Sequence, residues 1–358
     1  MTNGATTVTF SAPAGASPGQ RSTTMAQALN AALRDALRDD PTVHIMGEDV
    51  GALGGVFRIT DGLAAEFGSD RCADTPLAEA GILGTAVGMA MNGLRPVVEM
   101  QFDSFAYPAF EQLVSHVARM RNRTQGRMTL PLTIRIPYGG GIGAVEHHSD
   151  SSEAYYMHTP GLHLVCPATH ADAYGLLRQS IASDDPVVFL EPKRLYWSKD
   201  QWSSDSSEQV DPAGVAAVRR RGTSATLITY GPSLPLCMAA AEAAVEEGWQ
   251  LEVVDLRSLV PFDDETVCAA VRRTGRAVVV HESAGFAGAG AEIAARITER
   301  CFHHLEAPIL RVAGLDIPYP PPMLEGRHLP SVDRILDAVA RLQWETDIRG
   351  GEVHVAGL

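Results

Sequence analysis

DTPLAEAGILGTAVGMAMNGLRPVVEMQF, residues 74–102, reads as one helix feeding one strand. Pro76 suits the first turn of a helix, where its missing N–H is no loss. Ile82, Ala86 and then Met89 or Ala90 recur at helical spacing. Gly81, Gly84 and Gly88 each weaken a helix by about 1 kcal/mol relative to Ala, so their presence predicts close approach of another backbone. Within PLAEAGILG (76–84) the one ionisable side chain is Glu79, in the expected first turn. An acid there can simply complement the helix dipole. RPVVEMQF (95–102) is the strand that follows.

Working outward, the same alternation fills the chain. TTMAQALNAALRDALRDD (23–40) has a helical repeat behind threonine caps, and TVHIMGED (42–49) is a short strand ending in two acids. PAFEQLVSHVARMRNRT (108–124) reads as an amphipathic helix and PLTIRIP (131–137) as a strand. YGGGIGAVEHHSDSSEA (138–154) is a long Gly-rich loop, followed by strand 163–167, helix 170–183 and strand 186–192. After a Ser-rich polar stretch, strands at 225–230, 251–256, 277–282 and 308–313 alternate with helices, the last at about 331–344. Apolar strands alternating with helices predict parallel sheets covered on both faces. The expected fold is α/β, with two doubly wound domains at 23–197 and 212–345, a linker at 198–211, and tails at 1–22 and 346–358.

Asp and Glu outnumber Lys and Arg 43 to 29, a net charge of −14, which argues against a nucleic-acid surface. No apolar run approaches the ~18 residues of a membrane span. The five cysteines are odd in number, scattered and without a CxxC, so neither a zinc site nor a disulfide framework is suggested, and a reducing cytoplasm fits.

Ligands of open α/β sheets bind beyond the carboxyl ends of the strands. Three polar groups fall there: GED (47–49), QFDSF (101–105) and the loop carrying His147 and His148. GGGIG (139–143) and GFAGAG (285–290) do not match a dinucleotide fingerprint, and no P-loop is present. His303 and His304 read as surface residues at a helix end. His147 and His148 are either solvated loop residues or acid–base groups. Residue patterns alone reach a two-domain α/β protein with an isolated Glu and a loop His.

Four stretches in order resemble a known family: IMGEDVGALGGVFRITDGLAAEFG (45–68), RCADTPLAEAGILGTAVGMAMNGLRPVVEMQFDSFAYPAFEQL (71–113), RIPYGGGIGAVEHHSDSSEAYYMHTPGL (135–162) and DDPVVFLEPKRLYW (184–197). The chain is similar to the beta subunit of the thiamin-dependent, decarboxylating component of 2-oxo acid dehydrogenase complexes. The second domain resembles the transketolase C-terminal domain. The resemblance implies that 23–197 receives the aminopyrimidine of thiamin diphosphate. A separate alpha subunit would hold the diphosphate and Mg²⁺ through a GDG…N motif, in an α2β2 heterotetramer. It makes Glu79 the group that hydrogen-bonds N1′ of the aminopyrimidine and favours its imino tautomer. Enclosure by Ala, Gly and Leu would desolvate that carboxylate. It places Phe105 as the stacking aromatic, with Leu77 and Gln101 lining the same pocket. His148 becomes the residue near the substrate carboxylate that assists acylation of the lipoyl group. Asp150 stands where the family usually has Gln, and an acid there is expected to raise the histidine's pKa. Leu130, Leu132, Thr133, Ser180, Ser183 and Asp185 match a monovalent-cation site, such as K⁺, found in some relatives.

The reaction so implied is decarboxylation of a 2-oxo acid with acyl transfer to the lipoyl domain of a dihydrolipoyl acyltransferase core. FLEPKRLYW (189–197) looks more like branched-chain than pyruvate members. The rival readings are a pyruvate-specific relative, a non-catalytic assembly subunit and a nicotinamide oxidoreductase, whose fingerprint is missing.

Overall fold

The computed structural model describes residues 22–204 and 210–343. The expected tails, Ser22 apart, and residues 205–209 of the expected linker lie outside the described residues. The strands, in chain order, are β1 (Thr23–Thr24), β2 (Val43–Gly47), β3 (Cys72–Asp74), β4 (Arg95–Glu99), β5 (Thr133–Tyr138), β6 (His163–Val165), β7 (Val187–Pro192) and β8 (Lys199–Asp200), then β9 (Ala217–Arg220), β10 (Ala225–Thr229), β11 (Leu251–Asp255), β12 (Ser258–Val260), β13 (Ala277–Ala284) and β14 (Leu310–Gly314).

They form a seven-stranded sheet of order β12-β6-β7-β5-β4-β2-β3, a five-stranded sheet of order β14-β13-β10-β11-β9, and the small antiparallel pair β1–β8. Both large sheets are parallel except at one edge each, where β12 runs antiparallel to β6 and β9 antiparallel to β11. Neither antiparallel strand was expected. β12 also belongs by sequence to the second half yet pairs in the first half's sheet. It is anchored by the Cys166 N–H donating to the Arg257 carbonyl at 2.8 Å and by buried Leu259.

Strand side chains alternate faces, and here the alternation divides them between two cores. Val97, Val187, Phe189, Leu227, Val278 and Val280 join one, with helices Met25–Asp39, His170–Ala182, Leu234–Ala243 and Val332–Leu342. Val98, Val188, Leu190, Ile228 and Val279 join the other, with helices Glu79–Met91, Asp264–Thr274 and Ala289–Cys301. Each core therefore runs through both halves of the chain. The stretch expected to link the halves is tied down where it is described: Lys199–Asp200 pairs with Thr23–Thr24, and Trp202 is buried.

Two helices differ from expectation. The helix read as starting at Pro76 starts at Glu79, because Pro76 to Ala78 form the turn climbing out of β3, with the Ala78 N–H bonded to the Pro76 carbonyl at 2.9 Å. The helix read at 108–124 is α-helical over Tyr107–Gln112, widens to a π-turn over Leu113–Val117, and resumes at Met120–Arg123. Beneath the strand ends, buried Arg135 on β5 joins Glu99 on β4 (2.6 Å) and Glu191 on β7 (2.7 and 2.9 Å).

Candidate active site

The carboxyl ends of β2, β4 and β5 converge with the start of the helix Glu79–Met91. After Gly47 the chain passes through Glu48 and turns at Asp49, whose φ of 59° is left-handed. That turn sends Asp49 outward, where it accepts a hydrogen bond from Gln101 Nε2 at 3.0 Å, and leaves Glu48 inside. Glu48 is 3% exposed, and neither carboxylate oxygen has a hydrogen-bond partner among the described residues. Burial, and then the charges of Glu79 and Asp49, push its pKa above the ordinary carboxylate value. Glu79 is the first residue of its helix, behind Ala78, which has no side chain to cap it. The enclosure expected around Glu79 is absent: the residue is half-buried, Ala78 is exposed and Leu77 is 80% exposed. The unpaired buried acid is its neighbour Glu48.

From β4, Phe102 and Asp103 turn inward, and Phe105 lies half-buried on the following 3-10 turn, Ser104–Ala106. The loop after β5 brings His148 back over this segment on a 3-10 turn, Glu146–His148. The His148 ring stacks on Phe102 (centroids 3.9 Å apart, 19°) and meets Phe105 edge-on at 5.5 Å, while His147 lies 5.9 Å from Phe105.

Asp150 does not act on His148 as expected. Its carboxylate is occupied by the Ser104 hydroxyl at 2.5 Å and the Tyr107 hydroxyl at 3.0 Å. The pKa of His148 is lowered instead, by burial first and then by His147 and Lys193. Lys193 is buried, donates to the Pro137 carbonyl at 3.3 Å, and stands 5.8 Å from the Phe102 centroid. Burial pulls its pKa down to about 8 against the charges of Asp103, Glu282 and Asp150. Asp103, fully buried, accepts the Ser152 N–H at 2.9 Å and hydroxyl at 2.6 Å, and burial lifts its pKa to about 7. Glu48, Asp103 and Lys193 were not singled out from the sequence. Glu48 and Asp103 sit in the two triplets flagged at strand ends, but residue type alone does not tell Glu48 from Asp49.

The six residues matched to a cation site lie at the other end of the sheet. Leu130, Leu132 and Thr133 enter β5, and Ser180, Ser183 and Asp185 close the helix before β7. Three of the six have engaged side chains. The Ser180 hydroxyl donates to the Leu176 carbonyl, Ser183 to the Asp185 carbonyl, and Asp185 pairs with Arg121 at 2.5 Å. The one carboxylate of the set is thus paired with an arginine, and no step proposed for the site depends on a cation there.

Comparison with known proteins agrees with this layout. Residues 21–198 match the transketolase pyrimidine binding domain and residues 214–335 the transketolase C-terminal domain. A Leifsonia xyli protein named pyruvate dehydrogenase E1 component subunit beta is 53% identical over 92% of this chain and 98% of its own length. A Mycobacterium tuberculosis protein named 3-methyl-2-oxobutanoate dehydrogenase subunit beta is 54% identical over 90% of this chain and 92% of its own length. The chain belongs to the family of 2-oxo acid dehydrogenase beta subunits. A Pseudomonas aeruginosa member, 2-oxoisovalerate dehydrogenase subunit beta, is 45% identical over 90% of this chain and 95% of its own. Among solved structures, a split-gene transketolase described as an inactive beta4 tetramer superposes with a TM-score of 0.73 at 20% identity, covering 90% of this chain and 98% of that one, and so shares the fold. Glu79, at a helix start, and His148, on a loop turn, both lie within the residues matched to the pyrimidine binding domain. No helix among the described residues is long and apolar enough to cross a membrane.

Proposed function

We propose that this chain is the beta half of a thiamin diphosphate-dependent 2-oxo acid dehydrogenase, acting on a branched-chain 2-oxo acid such as 3-methyl-2-oxobutanoate. The observation that carries the reading is the pair of carboxylates at the strand ends, Glu48 buried without a partner and Glu79 at an open helix start. A buried unpaired acid is costly, and such groups cluster at functional sites. An aminopyrimidine offers nitrogen-bound protons to carboxylates and a flat face to Phe105, so the residues present fit it.

When bound, thiamin diphosphate supplies the electron sink for decarboxylation. Glu79 would hold the proton at ring nitrogen N1′, with the buried carboxyl of Glu48 beside it. Phe105 offers an aromatic face, Gln101 fixes Asp49, and Leu77 waits on the open side to be covered. His148, whose pKa burial lowers, is placed to exchange a proton with the reacting groups and assist acyl transfer to the lipoyl domain of a dihydrolipoyl acyltransferase. The open face at Leu77 and Glu79 fits completion by an alpha subunit in an α2β2 heterotetramer, with the alpha chain holding the diphosphate and Mg²⁺. The five free, buried cysteines fit a reducing cytoplasm.

The substrate choice rests on FLEPKRLYW and on the relatives named for 3-methyl-2-oxobutanoate and 2-oxoisovalerate. The Leifsonia relative, at nearly the same identity, favours pyruvate as the second reading. Turnover of the two acids by the reconstituted complex separates them. Glu79→Gln tests the whole proposal: assembly is retained and decarboxylation falls by about 10²–10⁴-fold, the usual contribution of a positioned acid–base group. Activity within a few-fold of wild type at saturating cofactor removes Glu79 from the chemistry and the proposal with it.

A further inference from the structure

The loop that carries His148 is held from the opposite half of the protein. Its stem is closed by the Gly139 N–H donating to the Asp150 carbonyl at 2.7 Å, and Asp150 is tied to Ser104 and Tyr107. Beyond the stem the loop has little core of its own, since Ile142 and Val145 are exposed. Three of its backbone N–H groups instead donate to side chains of the second half. Gly140 donates to Glu282, Gly141 to Glu325 Oε1 at 2.7 Å, and Gly143 to Glu325 Oε2 at 3.2 Å. The Tyr319 hydroxyl donates to Glu325 Oε1 at 2.6 Å and lies 3.2 Å from the Gly141 nitrogen.

The approach is possible only because the loop is glycine there. A Cβ on Gly140 would stand 1.9 Å from the Tyr319 hydroxyl oxygen, and Gly141, at φ +82°, would meet Arg194 Cδ at 2.5 Å. The clasp itself is stiff. Tyr319 sits among Pro318, Pro320, Pro321 and Pro322, whose rings restrict the backbone. It packs edge-on against buried His328, on the short helix that Glu325 begins, with centroids 4.9 Å apart. Glu325 makes no ion pair among the described residues, so its charge is directed at the loop's N–H groups. Such charge-assisted bonds are among the stronger ones a carboxylate makes.

We propose that Glu325, backed by Tyr319, is a positioning residue: its carboxylate reaches across from the second half, fixes the loop at Gly141 and Gly143, and so sets where His148 stands against Phe102. The consequence for acyl transfer rests on the function proposed above; the hold on the loop does not.

Hydrogen–deuterium exchange of the full-length chain tests the hold directly. Glu325→Ala should raise exchange of residues 139–148 by about tenfold or more while the central strands β10 and β13 stay protected, as expected when one local opening is eased. Glu325→Gln keeps an acceptor oxygen but not two equivalent charged ones, and should fall between wild type and Ala. Tyr319→Phe should give a smaller rise. In the reconstituted complex, the rate of acyl transfer to the lipoyl domain should fall in the same order, with dye-coupled decarboxylation falling less. Unchanged loop exchange in Glu325→Ala, or a rise spread equally over the second half, overturns the proposal. So does faster loop exchange with acyl transfer at the wild-type rate, because loop position would then not matter to His148. Full activity in Glu79→Gln would defeat the functional reading alone and leave the exchange result decisive for the clasp.

Discussion

Glu48→Gln is expected to stabilise the protein and disable it at once. The native side chain is 3% exposed, its two oxygens have no partner among the described residues, and it faces the charges of Glu79 and Asp49. Leaving a buried polar group unsatisfied costs about 1–3 kcal/mol, and more when it is charged. The amide is nearly isosteric and still unpaired, so it recovers only the charge-dependent part, of order 1 kcal/mol, or about 2–4 °C in Tm for a large domain. The pH dependence follows from the direction of the shift. The folded-state pKa of Glu48 lies above its ordinary value of 4.5, so between the two values the folded state binds more protons than the unfolded one. Wild-type stability from this group is therefore present below about pH 4.5 and lost as pH rises through the folded pKa. The glutamine variant has no such titration. Its Tm advantage should be smallest near pH 4.5 and widen as pH rises through the folded pKa. Calorimetry of both proteins at pH 4.5, 6 and 8 measures it, alongside turnover of the reconstituted complex, which should fall at least tenfold if the carboxylate serves the site. A variant less stable than wild type at pH 8, or a gap that does not change with pH, would falsify the description of Glu48 as a buried, unpaired acid.

Two further outcomes are expected. His148→Ala should reduce acyl transfer to the lipoyl domain more than dye-coupled decarboxylation, and should abolish a pH dependence of transfer whose midpoint lies below 6.5, the side to which burial, His147 and Lys193 push this imidazole; equal loss in both assays would mean that it only places substrate. His281 is buried, its Nε2 has no hydrogen-bond partner among the described residues, and burial followed by Arg311 lowers its pKa to about 4. Its stabilising contribution is full above pH 6.5 and lost as pH falls through about 4, so His281→Gln should lose less stability than wild type between pH 7 and 4, by up to about 3 kcal/mol in denaturant titrations; identical acid limbs would contradict it.

The strands were legible because the pattern that encodes them is local. PVVFLEP and AVVVHE are runs too apolar to have a wet face, and the sheets bury both faces of them. The helix Met25–Asp39 declared itself through Thr24, whose hydroxyl accepts the Gln27 N–H in a capping box. What the residues did not declare depends on distant partners. β12 is three residues long, and Val165, opposite Ser258, lies more than ninety positions earlier. Glu325 follows a proline run, and its two partners in the histidine loop lie 184 and 182 positions away. Glu79 and His148 could be picked out by residue type and place, but their roles came from resemblance, since a first-turn acid and a loop histidine are also ordinary surface features.

The failed expectation at Glu79 has a physical cause of its own. Enclosure was inferred from the small and apolar neighbours of the carboxylate, on the premise that a chain buries its own apolar residues. In the core that premise holds: Ile82, Leu83, Ala86 and Val87 on the same helix are all buried. At the helix start it fails, with Leu77 and Ala78 exposed and Glu79 half-open, while Glu48 beside them is buried with no partner among the described residues. A self-sufficient fold would gain by pairing Glu48 or covering Leu77, because each left as it is costs free energy. A chain whose site is closed by a partner and a cofactor gains that free energy on assembly instead. On the proposed function, the same residues that make the site look unfinished in one chain would supply part of the drive to complete it.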